Sequence, residues 1–135
     1  MSVLNPIKVQ LDKVISQYGP FNDHYILDFC IGSDVALQVI HPMSIERPEF
    51  PADNFGLVVY VPFDLDDPNQ VSEYEIFKSL NLYNEFFKYE WEGILCYAKD
   101  FGSDSLDAAG AIAVLLQLVY GLTDFRLLRS EIHST

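Results

Sequence analysis

Residue types that commonly hold metals or carry out acid–base chemistry are sparse in this sequence. Its three histidines, His24, His41 and His133, lie 17 and 92 residues apart, and none belongs to an HxxxH or HExxH pair. A metal site would therefore have to be assembled by folding from distant parts of the chain. Cys30 and Cys96 are isolated and lack the CxxC or CxxH spacing of a zinc site. We expect buried free thiols, although spacing alone leaves a disulfide open, and we predict neither a resident metal nor a cofactor.

Acidic residues cluster before the middle of the chain. Asp64, Asp66 and Glu75 stand at positions 1, 3 and 12 of an EF-hand-like spacing. The fifth position is Pro68, the sixth is Asn69 instead of glycine, and a strand is predicted where an EF-hand has a helix. We interpret this run as a solvated turn that leads into a helix N-terminus, where negative charge is favoured.

Motifs for a nucleophile or for phosphate binding are also missing. No serine lies in a GxSxG nucleophile elbow, and neither GxGxxG nor GxxxxGK[ST] occurs. Glu90 and Glu92 share one face of a predicted strand, where carboxylates face water more often than they form a catalytic pair. No general base with a named partner can be assigned. We therefore predict that the protein is not an enzyme.

The charge balance limits the classes of partner. The chain has 20 acidic and 8 basic residues, a net charge of −12, which repels nucleic-acid phosphates and anionic membranes. The rings of Phe86, Phe87, Tyr89 and Trp91 therefore indicate core or a protein interface better than a base-stacking platform. We predict no nucleic-acid binding. The N-terminal residues lack a basic segment followed by an apolar run, so we expect a cytoplasmic protein.

The elements that position these residues include one unusually apolar stretch, residues 103–122. It carries no charge between Asp107 and Asp124, and a helix that is apolar all round must be buried or lie in lipid. Its apolar part is shorter than the ~20 residues that span a bilayer. We predict a core or interface helix and no membrane insertion. The side chains that we expect to be buried against a sheet are Ile112, Leu115, Leu116 and Val119.

Periodicity and turn residues predict the other elements. They are a helix over 3–18, strands over 23–33, 35–42 and 56–63, a helix over 68–84, and two strands within 86–101. Residues 43–55 are predicted to be a long connecting loop, of a kind that often carries recognition. The tail, RLLRSEIHST, is predicted to add one helical turn. The order helix, three strands, helix, two strands, helix indicates an α+β fold with an antiparallel sheet packed against helices, in a single domain over residues 1–135.

The segments GLVVYVPFDLDDP, SLNLYNEF, YEWEGILCYA and DSLD, in this element order, resemble the class I type III secretion chaperones and their YbjN-like relatives. The resemblance covers roughly residues 3–123. Its most recognisable residue is the asparagine near the end of the middle helix, Asn81 or Asn84. It implies a small acidic cytoplasmic homodimer without enzymatic activity. Such a protein binds an extended segment of a client protein along apolar grooves.

The resemblance also implies which residues make contacts. The dimer interface would involve Tyr74, Phe77, Leu80, Asn81 and Phe86. Client grooves would involve Leu4, Val35, Leu37, Val39, Leu57 and Val59. Packing within one chain explains the apolar character of these residues equally well. Two functions follow: a chaperone-like client binder, or a small regulatory or structural protein on the same scaffold that meets a basic partner protein and has no secreted client.

Overall fold

The computed structural model describes residues 4–134. Within that range three α-helices pack on one six-stranded antiparallel sheet. The helices are α1 (Leu4–Tyr18), α2 (Pro68–Ser79) and α3 (Ser105–Val114), and the strands are β1 (Tyr25–Ile31), β2 (Asp34–Ile40), β3 (Val58–Phe63), β4 (Phe87–Trp91), β5 (Ile94–Asp100) and β6 (Leu128–Ser134). The strands lie in the order β4-β5-β3-β2-β1-β6. The predicted α+β class, with helices packed against an antiparallel sheet, is confirmed.

Helix α1 buries one stripe of apolar side chains. Ile7, Leu11 and Val14 recur at helical spacing and are fully buried. The helix begins at Leu4, within the predicted range of 3–18, and Pro6 lies in its first turn. Proline is tolerated there because the first turn of a helix has no use for its missing N–H.

Four of the predicted strands form two hairpins, which are joined through β3. Strands β1 and β2 pair across Gly32-Ser33, and β4 and β5 pair across Glu92-Gly93. Glu92 has φ 50° and Gly93 has φ 82°, so both turn residues are left-handed, which matches the twist of the flanking strands. Strand β3 pairs with β2 on one side and with β5 on the other.

Helix α2 begins as predicted and ends early. Its N-cap is Asp67, whose Oδ1 accepts a hydrogen bond of 2.9 Å from the N–H of Asn69. The prediction of a helix as far as residue 84 is wrong, because Leu80 is extended and residues 81–85 form a 3-10 turn. This change of direction returns the chain to the sheet, where Phe86 is buried.

The C-terminal segment differs most from the prediction. Residues 128–134 form an edge strand, not a helical turn, and they pair antiparallel with β1. Ser130 and Ile132 are half-buried while Glu131 and His133 are exposed, which is the period of two that a strand requires. The prediction of a helical turn is wrong, because it did not take this alternation into account, and the sixth strand was not predicted.

The main core lies between the helices and one face of the sheet, the inner face. The four side chains expected to be buried there are buried: Ile112, Leu115, Leu116 and Val119. The helix continues past α3 as a π-helical turn over Leu115–Val119. Leu106 and Leu118 stay exposed, so the apolar stretch is not covered all round. Among residues 4–134, no helix combines the length and the apolar character needed to cross a bilayer.

The opposite face of the sheet, the outer face, is covered in part by residues 41–55, which we call the crossing loop. Its Ile45 and Phe50 are buried against Ile40, Val58 and Ala98 from the strands. The segment is a long connection, as predicted. Because it folds over the sheet, it builds a second and smaller core on the outer face.

Candidate functional site

The crossing loop leaves part of the outer face open as a groove of about 440 Å³. Strand side chains that line it include Ile26 and Tyr60, and the loop contributes Ile45. Tyr89 and Trp91 line it from β4. Aromatic and branched apolar side chains beside a few polar groups are typical of a binding groove.

Trp91 marks the β4 end of this groove. It is the single tryptophan of the chain, and 60% of its surface is exposed. Strand β4 pairs with β5 alone and lies at the edge of the sheet. An edge strand presents unpaired N–H and C=O groups to which another extended chain can add. Apolar surface and an open edge therefore occur together.

Arg47 fixes the crossing loop against β4. Its guanidinium carbon lies 5.1 Å from the ring centroid of Phe87 and 5.2 Å from that of Tyr89. Its Nη2 lies 3.3 Å from Glu49 Oε1. Cation–π contacts of this kind stabilise by about 0.5–2 kcal/mol, depending on how far the cation is desolvated. The Nε of Arg47 is buried and has no acceptor among the described residues, which is an energetic cost to the folded chain.

His41 holds the start of the crossing loop. It is fully buried, and its Nδ1 accepts a hydrogen bond of 3.0 Å from the N–H of Met43. Its Nε2 therefore carries the proton and donates to Oδ1 of Asn22 at 2.6 Å. The amide of Asn22 in turn donates to the carbonyl of Ala52 at 3.1 Å, near the end of the loop. Burial, and then the neighbouring His24, lowers the pKa of His41 and keeps the ring neutral.

A second cleft, of about 760 Å³, is larger but polar. Asp67, Asn69, Gln70 and Glu73 of the α2 region line it, together with Val35. Burial, reinforced by the charge of Asp67, raises the pKa of Glu73. Carboxylates and amides do not match an apolar segment, since desolvating them without partners is unfavourable. For an apolar ligand the smaller groove on the outer face is the better candidate.

The six residues implied in client binding do not meet on one accessible surface. Four of them are fully buried in the main core: Leu37, Val39, Leu57 and Val59. Leu4 is half-buried against the same core, whereas Val35 is 51% exposed and lines the polar cleft. A client could contact the buried four only if the helices moved away from the sheet.

The five residues implied in a dimer interface divide into two groups. Tyr74, Phe77 and Phe86 are buried in the main core. Leu80 is half-buried and Asn81 is exposed. Without a rearrangement, a second chain could contact only these last two to any extent.

One group of metal-ligating side chains occurs in the part of the chain that the structure describes. Asp28, Glu131 and His133 place one ligand atom each within 4.8 Å of one another. Sequence reasoning missed this group, although the alternation of Glu131 and His133 was a usable signal. The cysteines are free and buried as expected, and burial raises the pKa of the Cys30 and Cys96 thiols.

No family model, no curated protein and no solved structure matches this chain. The outer face of the sheet carries the geometry that indicates a function. Its three features are the groove, the crossing loop that bounds the groove, and the open edge of β4.

Proposed function

We propose that this protein is a non-enzymatic binding module that holds an extended apolar segment of a client protein in the groove of the outer face. The observation that carries the proposal is the exposed Trp91 in an aromatic groove at the open edge of β4. A segment added to β4 would gain backbone hydrogen bonds, and its alternate side chains would enter the groove. Exposed tryptophans are frequent energetic centres of interfaces.

The charge of the protein favours a client segment with basic residues. Glu46 and Glu90 line the groove, within a chain of net charge −12. Complementary charge accelerates encounter and selects against acidic partners. We propose an apolar segment flanked by lysine or arginine. The protein would act in the cytoplasm, as the resemblance to secretion chaperones implies.

Selection from a displayed library of random peptides of about 12 residues tests the groove, because that length can pair along an edge strand. Enriched peptides should alternate apolar residues and carry basic ones. Their affinity, measured by fluorescence anisotropy of a labelled peptide, should fall about tenfold or more in Trp91→Ala, which is about 1.4 kcal/mol. Leu127→Ala is the matched control, since Leu127 is similarly exposed and lies outside the groove. The proposal fails if no peptide is enriched or if Trp91→Ala binds as the wild type does.

The excess of 20 acidic over 8 basic residues supports a second candidate, a regulatory or structural protein that meets a basic partner protein through its charged surface. The salt dependence of partner binding distinguishes the two functions. A partner held by charge should dissociate in about 0.5 M NaCl, where the Debye length falls below 8 Å. A segment held by apolar contacts in the groove should stay bound.

A homodimer is part of the proposal, with Leu80 and Asn81 as the contact residues that retain exposed surface. Analytical ultracentrifugation over a range of concentrations should show a dimer. Asn81→Arg should dissociate it, whereas Gln17→Arg, at an exposed position of α1, should not. A wild-type protein that stays monomeric at every concentration contradicts the homodimer without affecting the groove.

A further inference from the structure

We propose that Asp28, Glu131 and His133 bind one divalent transition-metal ion, zinc in the first instance, that joins β6 to β1. The three ligands lie outside the groove, although Gln38, which contacts Asp28, lines it, and the proposal does not rest on the proposed function. His133 Nε2 lies 3.0 Å from Asp28 Oδ2 and 3.8 Å from Glu131 Oε2. Two ligands of a tetrahedral zinc lie about 3.3 Å apart when each metal–ligand distance is about 2.0 Å. The side chains are therefore already close to the required spacing.

The backbone register brings these three residues together. Asp28 of β1 is directly opposite Glu131 of β6. His133 is two residues beyond Glu131, so both side chains project from the same side of the strand. The ligands are set by two paired strands, which are more rigid than loops. Metal binding would therefore require rotation of these side chains and no change of the backbone.

The charges around the site call for a cation. Carboxylates directly opposite each other on paired strands are destabilising. Neither Asp28 nor Glu131 has a lysine or arginine ion pair in the described structure, where their ionic neighbour is His133. The Asp28 side chain is 13% exposed, so water screens its charge poorly. A divalent ion would supply the positive charge that this pair lacks.

Neighbouring residues support the geometry. The amide of Gln38 donates to Oδ1 of Asp28 at 2.8 Å, which orients the carboxylate and leaves Oδ2 for a metal. Arg129 lies two residues before Glu131, but its Nη2 donates to the carbonyl of Gly32 at 2.6 Å. The guanidinium of Arg129 is thus held by a backbone carbonyl and forms no ion pair with Asp28 or Glu131.

The ligand set indicates which metals would bind. One imidazole nitrogen and two carboxylate oxygens suit Zn²⁺, and they leave a fourth position for water. Affinity for Mn²⁺ should be lower and for Cu²⁺ higher, following the general order for such sites. The imidazole must present an unprotonated Nε2, so its proton would lie on Nδ1.

Calorimetric titration of the full chain, metal-free and without a histidine tag, with zinc chloride tests the site. We expect one zinc per chain and a rise in melting temperature that depends on zinc concentration. His133→Ala should abolish saturable binding. Gln38→Ala should weaken it by about 10–100-fold, the usual effect of losing an outer-shell partner. His24→Ala is the matched control and should bind as the wild type does.

The proposal is overturned if zinc does not bind saturably, or if His133→Ala binds as tightly as the wild type. Equal affinity for Mg²⁺ and Zn²⁺ would also overturn it, because a general acidic surface does not distinguish these ions. Glu131→Gln guards against misfolding, since Glu131 is exposed and glutamine keeps its size. Without zinc this variant should have a urea midpoint equal to or slightly above that of the wild type, because it removes the repulsion from Asp28, and it should lose the zinc-dependent shift in melting temperature.

Discussion

At the scale of single residues, His41 links the pH dependence of stability to the crossing loop. Its ring is buried, neutral and bonded through both nitrogens to Met43 and Asn22. Protonation would place a charge in the core and break the hydrogen bond that Nδ1 accepts. Protonation of His41 at low pH would therefore weaken the attachment of the crossing loop.

We predict that acidification destabilises the protein through His41. Burial lowers the pKa of His41 in the folded chain, so the unfolded chain, titrating near 6.5, binds the proton more readily. The free energy of unfolding therefore rises with pH between the lowered pKa and about 6.5, and the contribution is lost as pH falls through that window. Urea unfolding at about pH 7.5 and about pH 5.5 should show a smaller decrease in His41→Gln than in the wild type.

Other groups titrate in both proteins and cancel in this comparison. The raised pKa of Glu73 acts in the opposite direction, because its contribution is lost as pH rises through the folded value. Equal pH dependence in the wild type and in His41→Gln would contradict the role of His41.

Phe77 is a residue at which a core role and a dimer-interface role can be distinguished by substitution. Its ring is fully buried, with centroids 4.9 Å from Tyr97 and 5.6 Å from Phe86. We predict that Phe77→Ala lowers the free energy of unfolding by about 3–5 kcal/mol, as cavity formation at a buried aromatic does. Ile76→Ala, at an exposed position of the same helix, should change it by less than about 0.5 kcal/mol. Urea denaturation measures both, and a stable Phe77→Ala chain would contradict the core role.

At the scale of elements, local signals were sufficient where turn chemistry and capping fix the backbone. The start of α2 and the pair of strands within 86–101 were predictable, because the Asp67 cap and the Glu92-Gly93 turn each depend on a few neighbouring residues. The end of α2 was not readable, because Leu80 leaves the helix to bring the chain back to the sheet. Tertiary packing overrides the helical pattern there.

The sites were harder to predict than the fold for the same reason. The groove exists because the crossing loop packs on the outer face, and no local pattern fixes that position. Asp28 and His133 are brought together only by the pairing of β1 with β6. Once β6 was interpreted as a helical turn, the metal ligands could not be placed on one face.

Strand β6 protects the edge of β1, which gives a prediction at this scale. Removing residues 128–135 would expose β1 as a new edge, and half-buried Ile132 would no longer cover the sheet. We expect a lower free energy of unfolding and concentration-dependent aggregation. Urea denaturation and light scattering measure the two effects. A chain that lacks only residues 134–135 is the control.

An unchanged urea midpoint after removal of residues 128–135 would contradict this prediction. It is the result expected of a frayed helical turn, so the experiment distinguishes the two interpretations of the tail. Helices α1 and α3 pack on each other and on the inner face, and α1 also contacts β6, since the Tyr18 hydroxyl lies 2.8 Å from Ser134 Oγ.

At the scale of the whole molecule, unpaired negative charge dominates the surface. The lysine and arginine ion pairs of the described chain include Lys8 with Asp12 and Lys78 with Glu75, and both pairs are exposed. Exposed pairs of this kind stabilise by about 0–1 kcal/mol. With 20 acidic and 8 basic residues, most carboxylates have no cationic partner. The folded state therefore carries repulsion that its ion pairs do not offset.

Screening this repulsion should stabilise the protein. The Debye length falls from about 30 Å at 0.01 M to about 8 Å at 0.15 M salt, so repulsion between distant carboxylates weakens. We predict that added NaCl raises the urea midpoint while the m value stays constant. A triple variant, Asp23→Asn, Asp53→Asn and Asp66→Asn, changes exposed positions and brings the net charge from −12 to −9. It should be more stable than the wild type at low salt and respond less to salt. A urea midpoint that falls with salt, or an equal salt response in both proteins, would show that local ion pairs outweigh the net charge.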